Sequence, residues 1–157
     1  MATEEQQKQN LMRMYKLMIQ GLAKGLYDLF GESSYAVMHP VGDDLLEIMQ
    51  KEMGLEIGGN NVTEMLTEVG RLFVDEFGFA ERIEVVEASD NHAVVHVESE
   101  LGYSFLSDLE KLGVEHPFTC PIMNVMSGAM RKNMQKSPQV KMEYRTDVHG
   151  SIITFNF

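Results

Sequence analysis

The densest chemistry in this sequence lies in one short run, His116-Pro117-Phe118-Thr119-Cys120-Pro121. Cys120 is the only cysteine of the chain. The pattern puts it at or near a helix N-terminus, where the helix dipole stabilises a thiolate. His116, four residues earlier, can face it. Two readings stand open for the pair. One is a reactive or metal-binding thiol. The other is a small buried hydrophobe beside a histidine that caps a helix or faces solvent.

A zinc site needs four converging ligands, and Cys120 supplies one. The rest would have to come from His39, His92, His96, His116, His149 or carboxylates. His92 and His96 share one face of a predicted strand, but they are about 13 Å apart along it and cannot ligate one ion. No metal site and no cofactor is expected. His39 precedes Pro40 at an expected helix break, where it can anchor a ligand at a pocket mouth or be satisfied by local backbone. The pairs Asp43-Asp44 and Glu98/Glu100 read as solvated faces rather than acid–base pairs. The sequence has no P-loop, no GxGxxG after a strand, no HExxH and no GxSxG, which removes several common enzyme classes.

The bulk composition narrows the partners. The net charge is −11, which repels phosphate backbones and anionic lipid, so neither nucleic acid nor membrane is an expected partner. Arg131, Lys132, Lys136 and Lys141 form the only basic cluster and read as a solvated helix end. The N-terminal ten residues lack the apolar core of a signal peptide, and no apolar run approaches the ~20 residues of a membrane helix. A lone cysteine agrees with a reducing compartment. The expectation is a cytoplasmic protein whose 157 residues form one domain. Thirteen methionines are present. Methionine fills irregular apolar space, so they serve either ordinary core packing or an adaptable pocket or partner surface.

The elements that must position these groups follow from periodicity. Residues 3–30 place Leu11, Met14, Tyr15, Met18, Leu22, Leu26 and Leu29 at helical spacing, with Gly31 as a stop. Gly21 and Gly25 mark a close crossing or a weak point in that helix. Ser33 or Ser34 can cap a short helix that Pro40 interrupts, and a further helix is expected over residues 41–53. Asn61 with Glu64 resembles a capping box, predicting a helix to about Phe77 and a stop at Gly78. The period then changes to two. Residues 82–88 and 92–99, joined by Ser89-Asp90-Asn91, predict a hairpin. A moderate helix is expected over 101–112 and a strong one over 118–135, entered through Pro117 and Pro121. Residues 140–146 and 151–157 form a second hairpin. The fold class is therefore α+β: an antiparallel sheet of four or five strands packed with helices, led by a long N-terminal helix.

Two stretches carry a family resemblance. The first is Leu29-Phe30-Gly31-Glu32-Ser33-Ser34-Tyr35-Ala36-Val37-Met38 followed by Val41-Gly42. The second is His116 to Ile122, then a helix through Gly128 and Ala129, a turn at Gly150 and a closing strand with Phe155. Their order and spacing resemble the 4-vinyl reductase domain, a small-molecule or hydrocarbon-binding domain. That family shares its fold with ligand-binding domains of nitric-oxide signalling and with TRAPP vesicle-tethering subunits. The resemblance implies a pocket for small apolar molecules between helices and a curved sheet, and dimerisation through helices. It would also imply cysteines flanking the last helix and the final hairpin. This chain has His116 near the first of those positions and no cysteine in residues 143–155.

The leading functional expectation is thus non-catalytic binding of a small hydrophobic molecule, in a sensory or carrier role. Its lining would come from Tyr35, Met38, His39, Phe73, Tyr103, Phe105, His116, Phe118, Cys120, Met123 and Met126. The second is a homodimeric interaction protein using Leu11, Met14, Met18 and Leu22 of the first helix. The third is a thiol enzyme using Cys120.

Overall fold

The computed structural model describes residues 2–114 and 118–157. The first helix, α1, runs over Glu4–Phe30. Thr3 caps it: its hydroxyl accepts from the Gln6 N–H at 3.2 Å, and the Gln6 side chain accepts from the Thr3 N–H at 2.9 Å. That reciprocal pair satisfies two N–H groups that a helix start leaves orphaned. Gly31 ends α1 with φ +55°, a conformation that glycine adopts without strain.

A 3-10 helix, Gly31–Val37, leads directly into α2, Met38–Lys51. The expected break at Pro40 does not occur. Pro40 falls in the first turn of α2, where its missing N–H would have had no intrahelical partner. Helix α3 spans Val62–Asp75, with the Asn61 side chain accepting from the Glu64 N–H at 2.9 Å. It ends two residues before the predicted Phe77.

Four strands follow: β1 Arg82–Ala88, β2 His92–Glu98, β3 Gln139–Arg145 and β4 Gly150–Asn156. They form one antiparallel sheet in the order β1-β2-β4-β3, the α+β arrangement expected from the period change. Between the hairpins lie α4, Tyr103–Lys111, and α5, Pro121–Met134. Helix α5 starts at Pro121 rather than at Phe118, because a proline at the first helical position is pre-set for helix φ.

One sheet face is buried. Ala93, Val95 and Val97 of β2 alternate inward and meet Ile153 and Phe155 of β4 and Met142 of β3. Helices α3 and α5 cover this face with Met65, Leu66, Val69, Ile122, Met126 and Met130, all fully buried. A smaller core gathers Ala23, Leu109, Val114 and Phe118, with Tyr27, Tyr35 and Met38 packed against it.

Helices α2 and α5 cross at glycines. A Cβ on Gly42 would stand 2.3 Å from the Asn124 carbonyl oxygen, and one on Gly128 would stand 2.8 Å from the Gly42 carbonyl oxygen. Gly21 and Gly25 behave differently: a Cβ there would meet nothing within 4 Å, so they mark no close crossing among the described residues. Among the described residues, no helix is long and apolar enough to cross a membrane.

Candidate functional site

The α2–α5 crossing, the 3-10 helix and the edge strand β3 enclose a cleft of about 570 Å³. Its apolar walls are Tyr35 and Met38 on one side, Phe118 and Met123 at the base of α5, and Pro138, Val140 and Met142 along β3. Polar groups enter from α5: Asn124, Ser127 and Arg131 stand at i, i+3 and i+7 and share one helix face. Asn124 and Ser127 are buried. The Asn124 amide donates to the Phe118 carbonyl at 3.0 Å and approaches the Met38 sulfur at 3.4 Å. This contact ties the short segment before α5 to the start of α2.

Arg131 is the fastener of the crossing. Its Nε and Nη2 donate to Asp43 Oδ1 at 3.1 and 2.7 Å, and Nη2 also donates to the His39 carbonyl at 2.9 Å. Its Nη1 is buried and meets no acceptor among the described residues. Gly42 and Gly128 make this reach possible by letting the two backbones touch. Arg131 is therefore no solvated helix end. Of its expected companions, Lys132 donates to Gln50 and Lys136 lies over the Phe157 ring at 4.1 Å.

Of the expected lining, Tyr35, Met38, His39, Phe118 and Met123 come together in this cleft. His39 is exposed at its edge. The others lie elsewhere. Phe73 is buried in the main core against Phe77 and Phe79, with ring centroids 5.6 and 5.8 Å away. Met126 is wholly buried, on the core side of α5. Phe105 packs between the two cores. Tyr103 stacks edge-on with Tyr144 and His149 at 6.0 and 5.5 Å. His116 falls outside the described residues.

Cys120 caps α5 without a side-chain hydrogen bond to the helix and is completely buried. Its Sγ lies 3.6 Å from Glu100 Oε1, and the Ser151 hydroxyl donates to Glu100 Oε2 at 3.2 Å. Burial raises the Glu100 carboxyl above its ordinary range, against the two hydrogen bonds that lower it. Burial and then the nearby Glu100 charge push the Cys120 thiol far up, the opposite of what a nucleophile needs. The expected solvated Glu98/Glu100 face is thus corrected at Glu100, which is 4% exposed. Among the described residues, no group of three His, Cys, Asp or Glu side chains is placed to hold a metal ion.

Sequence reasoning missed Asn124, Ser127, Glu100, Ser151 and the β3 wall. The α5 polar row did carry a signal: Asn124, Ser127 and Arg131 are spaced i, i+3 and i+7, on one face of the helix.

The model of the family described as "Putative rubredoxin C-terminal domain" matches residues 15–156. The chain belongs to that family. No curated protein matches it. Among solved structures it is similar to the phenol-responsive sensory domain of the transcription activator PoxR, in its crystal structure with phenol. The TM-score is 0.53, with 17% identity over 90% of this chain and 74% of that one. At that identity the likeness is one of fold.

Proposed function

We propose that this chain binds a small, largely apolar molecule in the cleft between α2, α5 and β3, as a sensory or carrier module without catalysis. The cleft itself carries the reading. Its volume of about 570 Å³ suits a small ligand, and apolar walls with a few placed polar groups are the usual make-up of such sites. A second depression, about 320 Å³, is lined only by residues of α2 and its C-cap, such as Asp44, Glu47 and Lys51. A single helix face cannot surround a ligand. The fold likeness to a sensory domain solved with phenol supports the same reading. The buried, unreactive setting of Cys120 weighs against the thiol-enzyme alternative.

Methionine methyl NMR tests this reading with the chain's own side chains. Titrating phenol, and separately toluene, should shift the methyls of Met38, Met123 and Met142 and leave the core residue Met65 in place. No shift with either compound, or shifts centred on Met65, would overturn it.

A second reading, compatible with the first, is a homodimer through α1. Leu11, Met14, Tyr15, Met18, Leu22 and Leu29 are 51–77% exposed. At on the order of 100 Å² each they offer about 1,200 Å² across two copies, the lower bound of a stable specific interface. Light scattering should give a dimer for the full chain and a monomer for the variant Leu11→Gln/Met18→Gln/Leu22→Gln. A monomeric parent chain sinks the reading.

A further inference from the structure

The cleft offers a ligand fewer polar groups than its lining suggests. Arg131 spends Nε and Nη2 on Asp43 and the His39 carbonyl, and its Nη1 is sealed off. Lys141 alternates with Val140 and Met142, so its side chain leaves on the other face of the sheet, where it pairs with Glu143. Among the described residues, then, no free cation faces the cleft to receive an anion, and no aspartate or glutamate lines it to receive an amine.

Two oxygens remain. The Asn124 amide commits its Nδ2 to the Phe118 carbonyl at 3.0 Å and to the Met38 sulfur at 3.4 Å. Those contacts fix which way the amide points and leave Oδ1 an acceptor without a donor among the described residues. The Ser127 hydroxyl makes no hydrogen bond among them either. Both residues line the cleft, and they are only 5% and 6% exposed. Neither oxygen is sealed in as Arg131 Nη1 is. Buried polar groups are normally hydrogen-bonded, so the missing partners have to enter through the cleft.

The two side chains stand one helical turn apart, with Cβ atoms about 5–6 Å from each other. A single ligand atom between them is within hydrogen-bond reach of both. Asn124 Oδ1 can only accept, whereas the Ser127 hydroxyl can donate or accept. A ligand hydroxyl therefore matches the pair: it donates to Oδ1 and accepts from Ser127. A ketone or an ether accepts from Ser127 but leaves Oδ1 out of water and unpaired, which is costly. A carboxylate brings its charge against Oδ1 with no cation to offset the loss of hydration.

We propose that the cleft selects a neutral alcohol, with its apolar body against Met38, Phe118 and Met142 and its hydroxyl between Asn124 and Ser127. This rests on the cleft being the ligand site, and it names the class of ligand.

Three compounds of one skeleton test it: 1-phenylethanol, acetophenone and cumene, which carry a hydroxyl, a carbonyl oxygen and a methyl at the same position. Each is titrated calorimetrically into the full chain at pH 7. The alcohol should bind about three- to tenfold more tightly than the ketone, the worth of one hydrogen bond. Ser127→Ala should weaken the alcohol and the ketone by a similar factor and leave cumene unchanged. Asn124→Leu should abolish the gap between alcohol and ketone, with a melting curve to show that the helix start survives the loss of the Phe118 tie. Should Asn124→Leu fail to fold, the parent's alcohol–ketone gap and Ser127→Ala still decide the matter. A ketone that binds as tightly as the alcohol, or oxygen compounds untouched by Ser127→Ala, overturns the alcohol inference and leaves the apolar cleft standing. If none of the three binds, both fall together.

Discussion

Helices α1 and α5 use apolar residues in opposite ways. Helix α5 has 14 residues, and every position from Asn124 to Met130 is buried. Helix α1 has 27 residues, and Ala23 alone is buried. Length thus tells little about a helix's part in the fold. In α5 the apolar side faces the sheet, the small side meets α2, and the polar row opens on the cleft. In α1 the row Leu11, Tyr15, Met18, Leu22 and Leu29 recurs at intervals of four, three, four and seven, one face of a helix, and that face meets water. Helix α5 organises chemistry inside the chain. Helix α1 presents an apolar row to solvent.

The largest expected effect comes from the glycine that lets α5 touch α2. Gly42→Ala places a methyl 2.3 Å from a backbone oxygen that cannot yield without parting the helices. Urea denaturation should show a loss of about 3 kcal/mol, and the cleft should lose ligand affinity, because Arg131 no longer reaches Asp43. Gly21→Ala on α1 is the contrast. Its methyl enters open space, so it should raise stability by up to about 1 kcal/mol through helix propensity. Similar effects at both glycines would erase the distinction drawn between the helices.

A smaller effect is expected where α5 begins, at the closed cluster of Glu100, Cys120 and Ser151. Burial raises the Glu100 carboxyl above its ordinary value of 4.5. A raised carboxyl favours the folded state in its neutral form. That contribution is complete below pH 4.5 and is lost as pH rises through the raised value. Glu100→Gln is neutral at every pH. The difference in melting temperature, variant minus parent, should therefore grow from pH 4.5 to pH 8. The exposed carboxylates held low by neighbours, such as Glu64 beside Asn60 and Asp147 beside Arg145, titrate alike in both proteins and cancel. A gap that does not change with pH would place Glu100 in a far wetter setting than its burial indicates.

That cluster also shows where sequence reading ends. The four strands and the long helices were legible because their periods, 2 and 3.6, repeat over enough residues to be read. The acidic pair Glu98/Glu100, by contrast, reads in the sequence as one solvated face. Strand β2 ends at Glu98, however, and Ser99 adopts φ +53°, so the alternation stops and Glu100 is buried beside Ser151. A positive φ at a non-glycine residue leaves no mark in residue type. Hydrophobic character likewise failed to separate lining from core: Met123 and Met126 sit one turn apart on α5, and only Met123 faces the cleft. The β3 wall of Val140 and Met142 depends on which strand ends at the sheet edge, and two predicted hairpins do not fix that order.

The least costly change should be on α1. Each of Leu11→Gln, Met18→Gln and Leu22→Gln replaces a side chain that touches water, so each should alter the stability of a single copy by no more than about 0.5 kcal/mol. Concentration provides the sharper measurement. If two copies pair through this face, the parent's melting temperature rises with protein concentration by mass action, and the triple variant's does not. The sensitivity to concentration should vanish while the intrinsic stability barely moves. A triple variant that loses several kcal/mol as a monomer would mean that α1 packs within its own chain after all, and the contrast with α5 would fail at its root.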